Sequence, residues 1–306
     1  MKAPPPSGDQ VTIRHASWEA TVVEVGGGLR ALSRDGVPVL EGHAEDEMAS
    51  GGRGQPLIPW PNRLAGGAYE FDGRRIQAPL SEPAKGNAIH GLTRWSNWTV
   101  TGDPSGAAAT SRLRLNPQPA YPFTLDLEIA YALADDGLTV TLRAVNIGDG
   151  PAPFGAGFHP YLTAGSALVD EDTLTVPAAT WLPADENGIP TGERRAAEGD
   201  LYLRDGRVLG DTVLDHCFTD LGRDGSGRAS VKLEGPSGRV VLWMDDAFPF
   251  CMVFTGDTLS ADRRRRGVAV EPMTCAANAF ASGDGLVVLA PGEALTGQWG
   301  VVAEVR

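Results

Sequence analysis

Two histidines and one glutamate stand in short apolar segments that glycine or proline interrupts. The segments read NAIHGL around His90, FGAGFHPY around His159 and VAVEP around Glu271. An imidazole can gain or lose a proton near neutral pH, and a carboxylate can accept one, so this set suits general acid–base catalysis. The three side chains predict simultaneous proton removal and donation on an uncharged polar substrate.

Each of the three also has a purely structural interpretation. Glu271 follows the apolar residues 267–270, where loss of water would raise its pKa, but it could equally pair with one of the arginines at 263–266. His90 precedes a glycine, which lets a ligand approach, and it could instead be a core histidine. His159 precedes a proline, which favours an extended backbone, and it could be a turn residue.

The elements that must position these residues are short strands. Apolar or β-branched runs alternate with turn residues along the chain, and residues 138–145 alternate with period two. Residues 135–137 (DDG) predict a hairpin between this run and residues 125–133. With 39 glycines and 23 prolines, long helices are not expected. We predict an all-β, antiparallel sandwich in a single domain over residues 11–306, after a disordered tail at residues 1–10.

Composition narrows the class of protein further. Lys and Arg total 26 against 39 Asp and Glu, and the net charge of -13 excludes nucleic acid as an expected partner. The three cysteines are far apart, so buried, reduced thiols and a cytoplasmic location are expected, and neither Cys nor His spacing predicts a metal site. We identify no signal peptide and no membrane-spanning run.

Seven segments, taken in order, resemble the aldose 1-epimerases, also called galactose mutarotases. They are residues 26–30 (GGGLR), 59–63 (PWPNR), 87–91 (NAIHG), 157–161 (GFHPY), 215–218 (DHCF), 269–272 (AVEP) and 289–293 (LAPGE). Each motif alone is weak, but seven in the right order, from Gly26 to about Val305, are specific. The resemblance implies a β-supersandwich with a sugar cleft on a concave sheet face and no metal or organic cofactor.

The resemblance also implies roles for particular residues. Glu271 matches the catalytic carboxylate, and His159 and His90 match the two active-site histidines, of which we expect His159 to be the acid. Asn62 and Arg63 match a sugar-binding motif.

Asp215 matches a carboxylate that binds hydroxyls. The guanidinium of Arg63 could span two neighbouring hydroxyls, although an exposed surface pair with Asp215 is the plainer alternative. Trp60 or Tyr161 could offer a flat apolar face to the sugar, but an aromatic residue in a sandwich is more often part of the core.

Two residues differ from those that many members of the family have, and both differences concern the identity of the sugar. Phe158 stands where many members have Asn, and Met273 where many have Gln; the version here looks like a bacterial branch that includes mutarotases of modified hexoses. A phosphorylated or sulfonated sugar is therefore an alternative substrate. A glycoside hydrolase and a non-catalytic carbohydrate-binding protein are alternative functions, and the protein is expected to be a monomer or homodimer.

Outside these motifs, the remaining polar clusters are expected to be structural. We predict solvated or capping roles for His15 and His43. The run Arg263–Arg266 is expected to be a solvated hairpin loop, although an anionic group on the sugar could reach it.

Overall fold

Short apolar runs separated by turn residues form strands throughout residues 3–306, the part of the chain that this computed structural model describes. In chain order the strands are β1 (Gln10–His15), β2 (Trp18–Val23), β3 (Leu29–Arg34), β4 (Val37–Pro38), β5 (Pro56–Leu57), β6 (Arg63–Ala65), β7 (Ala68–Phe71), β8 (Arg74–Gln77), β9 (Asn87–Ile89), β10 (Thr99–Gly102), β11 (Ala108–Leu115), β12 (Leu125–Ala134), β13 (Gly137–Asn146), β14 (Ala152–Phe154), β15 (Gly157–Phe158), β16 (Tyr161–Leu162), β17 (Thr173–Thr175), β18 (Ala178–Leu182), β19 (Arg195–Ala196), β20 (Arg207–Val208), β21 (Asp215–Leu221), β22 (Ala229–Gly235), β23 (Gly238–Met244), β24 (Phe250–Phe254), β25 (Val268–Met273), β26 (Val287–Leu289) and β27 (Ala294–Val305).

Helical structure in the described residues is limited to four short segments. These are α1 (Ala279–Ser282) and the 3-10 turns Pro83–Lys85, Val169–Glu171 and Gly199–Leu201. The prediction that long helices are absent therefore holds for residues 3–306. The predicted hairpin is also confirmed, because β12 and β13 pair antiparallel with Ala134 opposite Gly137.

Two large antiparallel sheets carry the architecture. One has nine strands in the order β10-β11-β12-β13-β27-β23-β22-β17-β20, and the other has the order β19-β18-β21-β24-β25-β15-β5, with β16 also paired to β25. Strands β1 to β4 form a third sheet. The predicted all-β antiparallel sandwich is confirmed.

The main core lies between the two large sheets. Strand β13 alternates as predicted, so that Val140 and Leu142 are buried in the core, and Val268 and Val270 of β25 enter the same core from the other sheet. Because side chains alternate across a strand, Glu271 lies on the opposite face of β25. That face carries a smaller apolar cluster of Leu182, Cys217, Phe250, Met252, Met273 and Ala276.

The start of the chain is more ordered than the predicted tail. Residues 1 and 2 lie outside the described residues, but Ser7 is buried and its carbonyl accepts a hydrogen bond from Val25 N. Gln10 already belongs to β1. Main-chain pairing therefore fixes residues 7–10. That residues 11–306 form one domain stays a prediction, supported by one core cluster with members from Ile13 to Ala303.

The arginine run is not a fully solvated loop, contrary to expectation. Arg265 is 7% exposed, and its guanidinium binds the carboxylates of Asp170 and Asp257 at 2.6 and 2.9 Å. Arg263 pairs with Glu41 and Glu47, whereas Arg264 and Arg266 are exposed. Two of the four charges are thus neutralised within the fold.

The two peripheral histidines differ from each other. His15 is partly exposed, and its Nε2 lies 2.8 Å from the carboxylate of Asp135. This position agrees with the predicted solvated role. His43 is 7% exposed, and burial lowers its pKa, so of the two predicted roles, solvated or capping, the solvated one is wrong for this residue.

Candidate active site

Glu271 occupies the centre of the eight-stranded sheet. Strand β25 is flanked by β24 on one side and by β15 and β16 on the other, and Met252 of β24 lies directly opposite Glu271. The carboxylate lies outside the main core but is only 2% exposed. The strand alternation inferred from the sequence therefore places a carboxylate in a nearly dry position on a rigid element.

His159 lies in the short connection between β15 and β16. Its backbone N–H donates to Gln55 O at 3.2 Å, and its carbonyl accepts from Gly54 N at 2.9 Å. Its ring stacks on Tyr161, with centroids 5.0 Å apart and planes inclined by 17°. Gly52 (φ +75) allows the ring to fit, since a Cβ there would lie 2.5 Å from the His159 Cδ2. These contacts fix the imidazole before any substrate binds.

The His159 ring and the Glu271 carboxylate form a buried pair. Nε2 of His159 lies 3.3 Å from Oε1 of Glu271. Nδ1 of His159 and Oε2 of Glu271 are buried and make no hydrogen bond within residues 3–306. Each group thus has one polar atom directed at the other and one that no described residue satisfies.

Burial controls the charge of this pair. It raises the pKa of Glu271 well above the ordinary range, and the nearby Asp215 adds to the increase. Burial also lowers the pKa of His159, with smaller contributions from Arg94 and Arg53. Since separate charges are disfavoured here, the pair is most stable with no net charge and one proton held between the two groups.

His90 presents a fixed hydrogen-bond donor. Its Nδ1 accepts from the backbone N–H of Asn62 at 3.2 Å, so its own proton is on Nε2, which makes no hydrogen bond within the described residues. The ring meets His159 edge-on, with centroids 5.4 Å apart. Burial lowers the pKa of His90 well below its ordinary value, and the neighbouring His159 lowers it further. His90 is therefore neutral at neutral pH.

Arg63 is held by a partner that lies 19 positions away in the sequence. Its Nε and Nη2 donate to both carboxylate oxygens of Glu82, at 2.8 and 3.0 Å. Its backbone N–H donates to Asn62 Oδ1 at 2.9 Å. Gly188 (φ +78) packs against the guanidinium, since a Cβ there would lie 2.5 Å from Nη1. The salt bridge leaves Nη1 as the donor that Glu82 does not occupy.

A cavity of about 240 Å³ collects most of the predicted site residues. Its walls include six of the eight candidates, namely Asn62, Arg63, His90, His159, Asp215 and Glu271. The Asp215 side chain is at an exposed position, and its carboxylate makes no hydrogen bond to a described residue. The cavity thus combines one buried acid–base pair, one neutral histidine donor and two charged groups.

Trp60 and Tyr161 do not line this cavity. Trp60 is 3% exposed in the main core and packs edge-on to Phe280, with centroids 5.5 Å apart. Tyr161 lies behind His159 and donates its hydroxyl to Gly51 O at 2.8 Å. Both rings pack against other residues of the protein. In these positions neither ring offers the cavity the flat apolar face that was expected of it.

The sequence analysis did not identify two residues of the site. Arg94 lines the cavity, has no carboxylate partner in the described residues, and burial lowers its pKa to about 10. A charged residue four positions after His90, between a threonine and a tryptophan, was a signal that could have revealed it. Glu82, the partner of Arg63, had no such signal.

The described residues contain no group of three or more His, Cys, Asp or Glu side chains arranged to hold a metal ion. Cys217, Cys251 and Cys275 are buried and free, as the sequence predicts. In residues 3–306 no helix has the length and apolar character required to cross a bilayer.

Comparisons with known proteins identify the family of this chain. Residues 9–300 match the sequence profile described as aldose 1-epimerase. The chain is 34% identical over 288 residues to the uncharacterised protein YihR of Escherichia coli K12, covering 94% of this chain and 91% of that protein. It is 29% identical over 225 residues to human galactose mutarotase, covering 69% of this chain and 64% of the human protein.

A solved structure shares the fold. The GalM/aldose epimerase homologue from C. elegans superposes with a TM-score of 0.86 at 18% identity, covering 97% of this chain and 99% of that one. The chain belongs to the aldose 1-epimerase family. It is an enzyme of the class that interconverts the anomers of a sugar.

Proposed function

We propose that this cavity opens and recloses the ring of a hexose, with Glu271 as the base and His159 as the acid. The observation that carries the assignment is the buried pair, in which Nε2 of His159 lies 3.3 Å from Oε1 of Glu271. Both groups line the same sugar-sized cavity as His90. A pair in a dry site can move protons at neutral pH because neither group need stay charged alone.

Ring opening requires two proton transfers. The carboxylate of Glu271 takes the proton of the anomeric hydroxyl, and the imidazolium of His159 gives its proton to the ring oxygen. The bond between C1 and the ring oxygen breaks, and its electron pair goes to that oxygen while C1 becomes an aldehyde. The form that reacts is the ion pair of carboxylate and imidazolium, and the transfers convert it into carboxylic acid and imidazole, the form that burial favours; neither form has a net charge.

Reclosure uses the same two groups in reverse. Rotation about the C1–C2 bond presents the other face of the aldehyde to the ring hydroxyl. His159 then takes back the proton of that hydroxyl, and Glu271 returns a proton to the carbonyl oxygen, which forms the opposite anomer. Each positioned group contributes roughly 10²- to 10⁴-fold to the rate.

The other cavity residues bind and orient the sugar. His90 donates from Nε2 to the ring oxygen or a neighbouring hydroxyl and stabilises negative charge on the opened sugar. Arg63, Asn62 and Asp215 bind hydroxyls, since a guanidinium donates and a carboxylate accepts. Galactose is the first sugar to test, because the human relative is named a galactose mutarotase.

The test is polarimetry or NMR of a freshly dissolved single anomer of galactose and glucose. We expect equilibration faster than in a control without enzyme, and the same rate in EDTA. A rate equal to the spontaneous one for every aldose, with binding retained, would instead identify a sugar-binding protein.

The cellular setting is part of the same proposal. We infer a cytoplasmic enzyme of carbohydrate metabolism, acting as a monomer or homodimer and without nucleic-acid or membrane partners. Three buried free thiols and a net charge of -13 support it.

A further inference from the structure

Arg53 is a buried cation that the proposed reaction does not use. It is 2% exposed and follows Gly51 and Gly52, which line the catalytic cavity, but Arg53 itself does not line it. Its Nε donates to the backbone carbonyl of Glu41 at 2.9 Å and to Oε2 of the same residue at 2.6 Å. Its Nη1 donates to Ser50 O at 3.0 Å. The guanidinium is therefore fixed in position without contacting the space for the sugar.

Tyr161 joins this cation to the catalytic histidine. The Cζ of Arg53 lies 4.5 Å from the centroid of the Tyr161 ring, and the His159 imidazole stacks on the same ring with centroids 5.0 Å apart. Nη2 of Arg53 is buried and makes no hydrogen bond within residues 3–306. The contact with the phenol ring compensates for that missing bond, because the face of an aromatic ring attracts a cation. Arg53 thus supports the ring on which His159 rests.

A chain of alternating charges leads from Arg53 to the protein surface. Glu41 binds Arg53 through Oε2, and its Oε1 accepts from Nη1 of Arg263 at 3.0 Å. Arg263 also pairs with Glu47, which is exposed. The positive charge behind His159 is therefore balanced by a carboxylate that lies outside the catalytic cavity.

Several other titratable or charged groups surround the imidazole. They are Glu271 of β25, His90 directly after β9, Arg94 between β9 and β10, Tyr161 of β16 and Asp215 of β21, which lines the same cavity. Glu271, His90, Arg94 and Asp215 all line the space for the sugar. Arg53 differs from these four because it acts from behind the imidazole, with or without a bound substrate.

We propose that Arg53 is a positioning residue for the acid–base pair and acts on His159 through the ring of Tyr161. Its charge, which Glu41 balances, sets the pH range over which the pair holds its single proton. This inference rests on the proposed function, which makes His159 and Glu271 the acid and the base. A neighbouring cation disfavours every form with an additional proton, so it lowers the pKa of each proton loss from the pair. The pKa of His159 is lowered by burial, by Arg94 and also by Arg53, in the same direction.

Two substitutions change this charge in opposite directions. Arg53→Met removes the cation and should move both limbs of the pH profile of kcat upward by about 0.5 pH unit. Glu41→Gln removes the balancing carboxylate and should move both limbs downward by a similar amount. In that variant the backbone carbonyls of Glu41 and Ser50 still hold Arg53. Loss of mechanical support alone would lower kcat in both variants without opposite shifts.

The kinetic measurement is NMR exchange with galactose between pH 5 and pH 9. Arg53→Met should lower kcat at its optimum by about threefold, because the imidazole is less well held, and should leave KM within twofold, since Arg53 does not line the cavity. Arg75→Met and Glu198→Gln are the matched controls, because both residues are exposed and outside the cavity. Neither control should move a limb.

A second measurement needs no turnover. The ¹⁵N NMR signals of the His159 ring follow the titration of the pair in the protein without sugar, and His159→Asn assigns them. The midpoint should rise in Arg53→Met and fall in Glu41→Gln. His15, which is partly exposed beside Asp135, is the internal reference and should titrate alike in every protein.

Shifts of the same sign in the two variants, or no shift in either, would overturn the role of Arg53, whether or not the protein accelerates mutarotation. If Arg53→Met does not fold, the downward shift in Glu41→Gln decides alone, because a purely structural role does not produce it. Opposite ¹⁵N shifts in a protein that accelerates no sugar would confirm the charge effect and overturn the proposed function.

Discussion

Nε2 of His159 and Oε1 of Glu271 lie 3.3 Å apart in a part of the cavity where both side chains are at most 5% exposed. Burial pushes the pKa of the acid up and the pKa of the imidazole down, so the two groups favour states with no net charge. When two sites interact this closely, their titrations belong to the pair. The chemistry of the enzyme should follow from that coupling.

Replacing Glu271 with Gln should lower kcat by about 100-fold or more, with sugar binding retained. Glutamine keeps the size and one acceptor oxygen but cannot take up the proton. Steady-state mutarotation kinetics measure the effect, and Glu198→Gln, at an exposed position, is the matched control. Near wild-type turnover would place the base elsewhere, and Asp215 would be the first alternative.

His159→Asn should cost a similar factor, because it removes the proton donor and leaves the carboxylate without its partner. The double variant with Glu271→Gln should be little worse than either single variant, since residues that act as one unit are not additive. A double-mutant cycle on kcat tests this. Multiplicative losses would show that the two groups act independently.

Arg63→Ala should raise KM more than it lowers kcat, at a cost on the order of 1.5 to 3 kcal/mol for a charged hydrogen bond. Arg63→Lys should recover only part of the lost sugar binding, because an ammonium lacks the planar pair of donors that binds both carboxylate oxygens of Glu82. Glu82→Gln should also raise KM, by a smaller factor, because it loosens the guanidinium without removing it. Unchanged kinetics in Arg63→Ala would remove this residue from the sugar site.

Acid should destabilise the protein through its buried histidines. The pKa of His90 lies well below 6.5 in the folded state, so the unfolded chain binds a proton first as the pH falls. The free energy of unfolding should therefore decrease from about pH 6.5 downward. Urea unfolding at pH 7 and pH 5 should show a smaller decrease for His90→Asn than for the wild type. An equal decrease in both proteins would contradict this role for His90.

Glu271 should have the opposite effect on stability. Its folded-state pKa is raised above 4.5, so the cost of keeping the carboxylate buried develops as the pH rises above that value. Glu271→Gln carries no such cost. Its stability relative to the wild type should therefore increase between pH 5 and pH 8 in the same urea experiment, and a constant difference would show that the carboxylate is not desolvated as the structure indicates.

Local sequence patterns were sufficient to predict several features of the fold and the site. The alternation at residues 138–145 and the DDG turn predict a hairpin that the structure contains, because period-two burial and turn chemistry depend on neighbouring residues. The seven motifs, taken in order, predict the family, to which the chain belongs. Six of the eight candidate site residues do line one cavity.

Only the tertiary structure decided which side chains satisfy one another. Trp60 packs against Phe280 in the core, and Arg265 is buried between two carboxylates. From the sequence, each of these two side chains looked available to a ligand. Arg63 is held by Glu82, and Arg94 enters the site without a carboxylate partner. Burial and charge compensation depend on residues distant in the chain, and alternation along a strand specifies a face but not what packs against it.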